Sequence, residues 1–184
     1  LVGTPTGVGR YLAGVLQEWS RTGLPHKVTL FLHGAPPSWV GALNFSCEVL
    51  IDPADVAGTW WEQRRLPALA ARARSEVLLA PAYTAPLRLA CPSVVIVHDV
   101  SYFAQRKGFY WREGLRRRLL TRASAERAAA IVTVSEFSAT EISRFLGVPR
   151  STIVLAPQGA PTWRGGAPAA DRAPVVLCVG TLLS

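Results

Sequence analysis

Two short β-branched runs constrain this chain more than anything else in it. Val94-Val95-Ile96-Val97 stops at His98-Asp99, and Ile131-Val132-Thr133-Val134 stops at Ser135-Glu136. A strand with one face in water alternates apolar and polar residues. A near-continuous run is buried on both faces, as in a parallel sheet covered by helices. Further strand-like segments fall at Val28–Leu32, Cys47–Ile51, Glu76–Ala80 and Ile153–Ala156. Helical patterns lie between them. Val8, Tyr11, Leu12, Val15, Leu16 and Trp19 recur at helical spacing, and Tyr110–Ala129 reads as a helix. Ser135 can cap a helix that runs to Leu146 and stops at Gly147. Asp52–Leu66 reads as a loop entering a helix, with Pro67 at a helix start. Strands alternating with helices predict an α/β fold, a mostly parallel sheet with helices on both faces.

The 184 residues suffice for one domain and the stub of another. Residues 1–160 are expected to form that domain, 161–174 a Gly-, Pro- and Ala-rich linker, and 175–184 the opening strand of a second domain. The glycine-rich start of the first helix has no strand before it, and methionine is absent. The chain is therefore expected to be a piece of a longer protein, with the first strand of its sheet missing. No apolar run approaches the roughly 18 residues of a membrane span. Cys47, Cys91 and Cys178 cannot all pair and have no CxxC spacing, so reduced thiols and a cytoplasmic location are expected.

Basic residues exceed acidic ones by eight, and 18 of the 20 are arginine. Six arginines lie between Arg112 and Arg127, against Glu113 and Glu126. Such a segment is either a solvated helix face or a surface for an anionic substrate or an anionic membrane. No aromatic RNA-binding motif, paired zinc spacing or basic tail points to nucleic acid, which is not expected as a partner.

In an open parallel sheet, ligands bind beyond the carboxyl ends of the strands. Polar residues bunch there. Gly7, Val8, Gly9 and Arg10 read as a loop opening a helix, where backbone N–H groups and the helix dipole can approach a phosphate; a tight turn would need glycine as well. Neither a GxGxxG spacing nor a Walker lysine follows. His98 can donate to a substrate oxygen or be structural, and Asp99 can cap the next turn. Ser135 and Glu136 fit plain helix capping, since no GxSxG elbow surrounds the serine. No second ligand stands at metal spacing from any histidine, so no metal site is expected.

Six segments taken together resemble the N-terminal half of a retaining GT-B glycosyltransferase of glycosyltransferase family 4. They are Thr6-Gly7-Val8-Gly9-Arg10-Tyr11, Trp60-Trp61-Glu62-Gln63 and residues 81–87 (Pro-Ala-Tyr-Thr-Ala-Pro-Leu). The others are residues 95–103 (Val-Ile-Val-His-Asp-Val-Ser-Tyr-Phe), 132–138 (Val-Thr-Val-Ser-Glu-Phe-Ser) and 176–182 (Val-Leu-Cys-Val-Gly-Thr-Leu). The chain is most similar to mannosyltransferase-type members that assemble bacterial polysaccharides.

The resemblance implies a Rossmann-like acceptor-side domain, half of a GT-B fold, facing a donor domain of which only the start is present. It implies transfer with retention from a nucleoside diphosphate sugar to a saccharide or lipid-linked acceptor, with no cofactor and no obligatory metal. Gly7, Val8, Gly9 and Arg10 would close on the donor diphosphate. His98 would be the catalytic-site histidine, bonding a sugar hydroxyl from a solvent-facing position. Glu62, Tyr83, Thr84, Asp99, Ser135 and Glu136 would line the acceptor cleft. The family's Glu-x7-Glu motif and its basic pair belong to the donor domain, so the piece alone is expected to be inactive. A peripheral position at the inner membrane face would suit a lipid-linked acceptor.

Two other classes remain open. One is a non-catalytic sugar- or nucleotide-binding α/β module. The other is a nucleotide-sugar epimerase or dehydrogenase, which should show a GxxGxxG loop and a Tyr-x3-Lys pair. Neither Lys27 nor Lys107 stands four residues after a tyrosine.

Overall fold

The structure is a computed structural model that describes residues 7–53, 58–104 and 111–159. The expected linker at 161–174 and the strand within 175–184 lie outside the described residues.

All the described strands pair in parallel. β1 (Val28–Leu32) pairs β2 (Cys47–Ile51), with Val28 opposite Cys47 and Leu32 opposite Ile51. β3 (Leu78–Ala80), β4 (Ser93–Ile96), β5 (Ala130–Thr133) and β6 (Ile153–Leu155) form a second sheet in that spatial order. The α/β class with parallel strands is as expected, and the described strands fall in two sheets. Among the described residues, no strand hydrogen-bonds β1–β2 to β3–β6. β3 is also shorter than the apolar run suggested. Its pairing with β4 begins only at Leu78, opposite Ser93, which leaves Val77 55% exposed.

β4 and β5 form the centre of the larger sheet and carry its core. Val95, Val97 and Ile131 are at most 1% exposed and pack with Ala139, Ile142 and Leu146. The last three belong to α5 (Glu136–Leu146), which runs as the sequence reading expects. Ser135 Oγ accepts the Ser138 N–H at 3.1 Å, and Gly147 ends the helix in the left-handed region at φ 74°. A second cluster joins α1 (Gly7–Thr22), through Leu12, Leu16 and Trp19, to Leu30 of β1 and Val40. Val40 lies in a 3₁₀ turn over Ser38–Ala42, within a stretch that reads as plain loop in the sequence.

Asp52–Leu66 was expected as a loop entering a helix. The described part contains a π-helical turn over Trp61–Arg65, which runs into α2 (Leu66–Arg72). Asp52 explains its placement. Trp61 Nε1 donates to Asp52 Oδ2 at 2.9 Å, and Arg65 donates through Nε at 2.9 Å and Nη2 at 2.8 Å. The end of β2 thus clamps the turn that carries Glu62. Two further helices follow β4, α3 (Ser101–Ala104) and α4 (Trp111–Arg127). Among the described residues, no helix is long and apolar enough to cross a membrane.

Candidate functional site

Because β3, β4 and β5 are parallel, the segments that follow them emerge at one edge of the sheet. The first is the 81–87 loop, the second His98-Asp99, and the third Ser135 with α5. His98 is half-buried among them. Its ring stands edge-on to Tyr11, with centroids 5.0 Å apart, and to Tyr83 at 5.8 Å. Its Nε2 lies 3.3 Å from the Pro81 carbonyl oxygen, and Ser138 Oγ donates to the His98 carbonyl at 3.2 Å. The sequence reading placed this histidine facing solvent. The structure wedges it between two tyrosines.

Tyr11 belongs to α1, so that contact brings the start of α1 to His98. Gly7, Val8, Gly9 and Arg10 are not a loop here but the first turn of that helix. The first N–H groups of a helix have no partner within it and stand at its positive end. Among the described residues, none comes within 4 Å of an ideal Cβ at Gly7.

Tyr83 is the most constrained residue of the edge. Its φ of 64° lies in the left-handed region, which costs a non-glycine residue roughly 1–3 kcal/mol unless its surroundings hold it. They do. Its N–H donates to the Ile96 carbonyl at 2.9 Å, and its hydroxyl donates to Asp99 Oδ2 at 3.0 Å. The Arg117 guanidinium lies 5.0 Å from its ring centroid and 4.4 Å from that of Tyr102. Burial, and then the Asp99 charge, push the Tyr83 phenol well above its usual range, so it stays a donor. Burial also opposes ionisation of Asp99. Hydrogen bonds from the Ser101 hydroxyl, the Ser101 N–H and Tyr83, together with Arg117, outweigh it and hold that carboxyl below its ordinary value.

Glu62 and Thr84 meet as well. Thr84 Oγ1 donates to Glu62 Oε2 at 2.9 Å, and Gln63 Nε2 donates to Glu62 Oε1 at 2.8 Å. Gln63 also ties down the loop, donating to the Ala85 carbonyl at 3.0 Å and accepting the Leu87 N–H at 3.0 Å. From the other side, Ser124 of α4 accepts the Ala85 N–H at 3.1 Å and donates to its carbonyl at 3.2 Å. A loop too rich in proline for a sheet is thereby satisfied from both flanks.

Burial pushes the Glu62 carboxyl above its ordinary value of 4.5, against the two hydrogen bonds that favour its charge. The folded chain therefore holds this proton to higher pH than the unfolded chain does. The stability it confers is full below the ordinary value and is lost as pH rises through the raised one. Glu62→Gln cannot ionise. Urea midpoints at about pH 4 and about pH 7 should show wild type losing ground to this variant at the higher pH. A difference independent of pH would contradict the shift.

Glu136 is directed elsewhere. It accepts from Arg150 Nε at 3.2 Å and from Nη2 at 3.0 and 2.9 Å, and the same arginine donates to the Ile153 carbonyl at 2.7 Å. Its contacts fasten α5 to β6. Ser135 is occupied with capping and with Ser138 Oγ at 3.1 Å. The structure thus gathers the start of α1, Tyr83, His98 and Asp99, sets the Glu62–Thr84 pair beside Tyr83, and leaves Glu136 with Arg150.

Arg117 and Tyr102 escaped the sequence reading. The six-arginine run was visible as charge, but a run does not reveal which members turn inward. Arg118 turns inward too, donating twice to the Tyr102 carbonyl at 3.0 and 2.7 Å, and the Tyr102 hydroxyl donates to Thr121 at 2.8 Å. A cavity of about 230 Å³ opens between Thr59, Tyr83, Thr84, Arg116 and Arg117. Among the described residues, no group of three His, Cys, Asp or Glu side chains is placed to hold a metal ion.

The sequence model described as Glycosyltransferase Family 4 matches residues 5–164. No curated protein matches the chain.

Proposed function

Because the chain belongs to glycosyltransferase family 4, we propose that it supplies the acceptor-side half of a retaining hexosyltransferase of the mannosyltransferase type. The donor is a nucleoside diphosphate sugar and the acceptor a saccharide or lipid-linked saccharide, as in polysaccharide assembly. The reading puts the reaction in the cytoplasm and requires no metal or other cofactor. Residues 1–160 form this half, and a donor domain begins near residue 175.

The observation that carries the reading, beside family membership, is the edge-on contact of Tyr11, just past α1's first turn, with His98, whose ring also meets Tyr83. Positive helix-end dipoles suit a departing diphosphate, and a preorganised imidazole suits a sugar whose ring carbon gains positive character. In this reading His98 bonds a donor-sugar hydroxyl, Asp99 orients Tyr83, and Tyr83, Thr84 and Glu62 face the acceptor. Gly7, Val8, Gly9 and Arg10 approach the diphosphate. Ser135 and Glu136 shape the edge through α5.

The test is an assay of the complete enzyme against a panel of nucleoside diphosphate hexoses, with the anomeric configuration of the product read by NMR. Transfer with retention is the expected result. An inverted product would overturn the retaining reading. Donor binding without transfer to any saccharide or lipid-linked acceptor would favour a non-catalytic binding module.

A further inference from the structure

The inward face of α4 holds the strand-end segments of the larger sheet at three points. Residues three and four apart on a helix share a face, which puts Arg117, Thr121 and Ser124 in one row. Ser124 binds the Ala85 backbone in both directions, at 3.1 and 3.2 Å. Thr121 accepts the Tyr102 hydroxyl at 2.8 Å. Both of these side chains are buried. Arg117 completes the row as a half-buried cation set against two aromatic rings.

Those rings meet each other edge-on, with centroids 5.9 Å apart and planes at 84°, so one guanidinium serves both. It lies 4.4 Å from the Tyr102 centroid and 5.0 Å from that of Tyr83. Tyr83 in turn reaches the two polar residues that end β4. Its hydroxyl donates to Asp99 Oδ2 at 3.0 Å, and its ring stands 5.8 Å from that of His98. The Arg117 charge also favours the ionised Asp99 that accepts this bond. The backbone of Tyr83 is fixed by its N–H bond to Ile96, at a φ of 64°. That bond leaves the direction of the ring to be set by its neighbours. A guanidinium, unlike an apolar side chain, is drawn electrostatically to the ring faces and presents a flat surface to stack on them.

We propose that Arg117 is a positioning residue: it holds the Tyr83 ring and, through Tyr83, orients the His98 imidazole. It acts on the chemistry through these rings rather than by touching substrate. Arg117 also borders the cavity between Thr59, Tyr83 and Thr84, so direct contact with a bound anion is the competing role. The effect on turnover rests on the transferase reading; the effect on the His98 ring does not.

The test uses the complete protein with histidines carbon-13-labelled at Cε1, read by NMR at about pH 9, where an ordinary imidazole is neutral. The His98 signal is identified by its loss in His98→Ala, and the exposed His26 is the reference. Arg117→Gln removes the stacked cation, whereas Arg117→Lys keeps a cation able to sit over a ring. Arg127→Gln removes a charge from an exposed position of the same helix. The His98 signal should move toward that of His26 in Arg117→Gln, move less in Arg117→Lys and stay in place in Arg127→Gln. Turnover per folded molecule should fall roughly 10- to 100-fold in Arg117→Gln, the scale of a displaced catalytic group. Arg117→Lys should recover to within about threefold of wild type, and donor KM should stay within about twofold throughout. An unmoved His98 signal overturns the proposal, whether or not transfer is detected. A raised donor KM at intact turnover overturns it as well, since Arg117 would then contact substrate. Failure to transfer from any donor removes the transferase reading alone, because the ring signals still decide whether Arg117 orients His98. If circular dichroism shows Arg117→Gln unfolded, the smaller shift in Arg117→Lys carries the test, and its absence overturns the proposal.

Discussion

His98→Ala should lower turnover of the complete enzyme by roughly 10²-fold or more. Removing one preorganised donor at a centre of developing charge typically costs about 2.7–4 kcal/mol of transition-state stabilisation. The geometry favours such a role, because the ring is held before any substrate arrives. Tyr11 and Tyr83 contact it edge-on at 5.0 and 5.8 Å, and Pro81 O lies 3.3 Å from Nε2. The same contacts alter what stability should do. A solvent-facing histidine would leave melting unchanged, whereas each aromatic edge contact here is worth roughly 0.5–1.5 kcal/mol. A modest fall in melting temperature is therefore expected alongside the loss of turnover. The decisive quantity is turnover per folded molecule. A variant that melts early but keeps wild-type turnover per folded molecule would make His98 a packing residue and remove it from the chemistry.

Ile142→Ala should destabilise the chain by about 2–5 kcal/mol, the range for deleting a buried branched side chain whose site collapses only in part. Ile142 is fully buried between α5 and the β4–β5 centre of the sheet, in the cluster that includes Val95, Val97 and Ile131. Phe137 is the internal control. It sits five residues earlier in the same helix but is 77% exposed, so Phe137→Ala should stay within about 0.5 kcal/mol of wild type. Urea unfolding at constant slope compares the two directly. Equal effects would mean that α5 does not pack as described.

Much of this was legible in the sequence, for local reasons. β4 and β5 announce themselves because strands covered on both faces carry near-continuous apolar, β-branched runs. The α5 boundaries follow from a serine that can cap and a glycine that can take a positive φ. The polar edge was legible by the same logic, since His98 and Ser135 stand where two such runs stop. The membership of the site was not. Glu136 follows its strand just as His98-Asp99 follows the other, yet Arg150, fourteen residues later, turns it to β6. Spacing cannot report a partner that arrives through tertiary packing.

The sequence by itself determined the class of fold, the strand and helix order, and which strand ends carry polar side chains, because periodicity and capping act within a few residues. Only the tertiary structure decided that the described strands fall in two sheets, that Arg117 stacks on two tyrosines, and that Leu115 and Leu119 face outward. The physical reason is common to all three. Each depends on which side of an element meets a neighbour distant in the chain. α4 shows it most directly, since Leu115 and Leu119 are exposed while Thr121, Ser124 and Ala125 are buried.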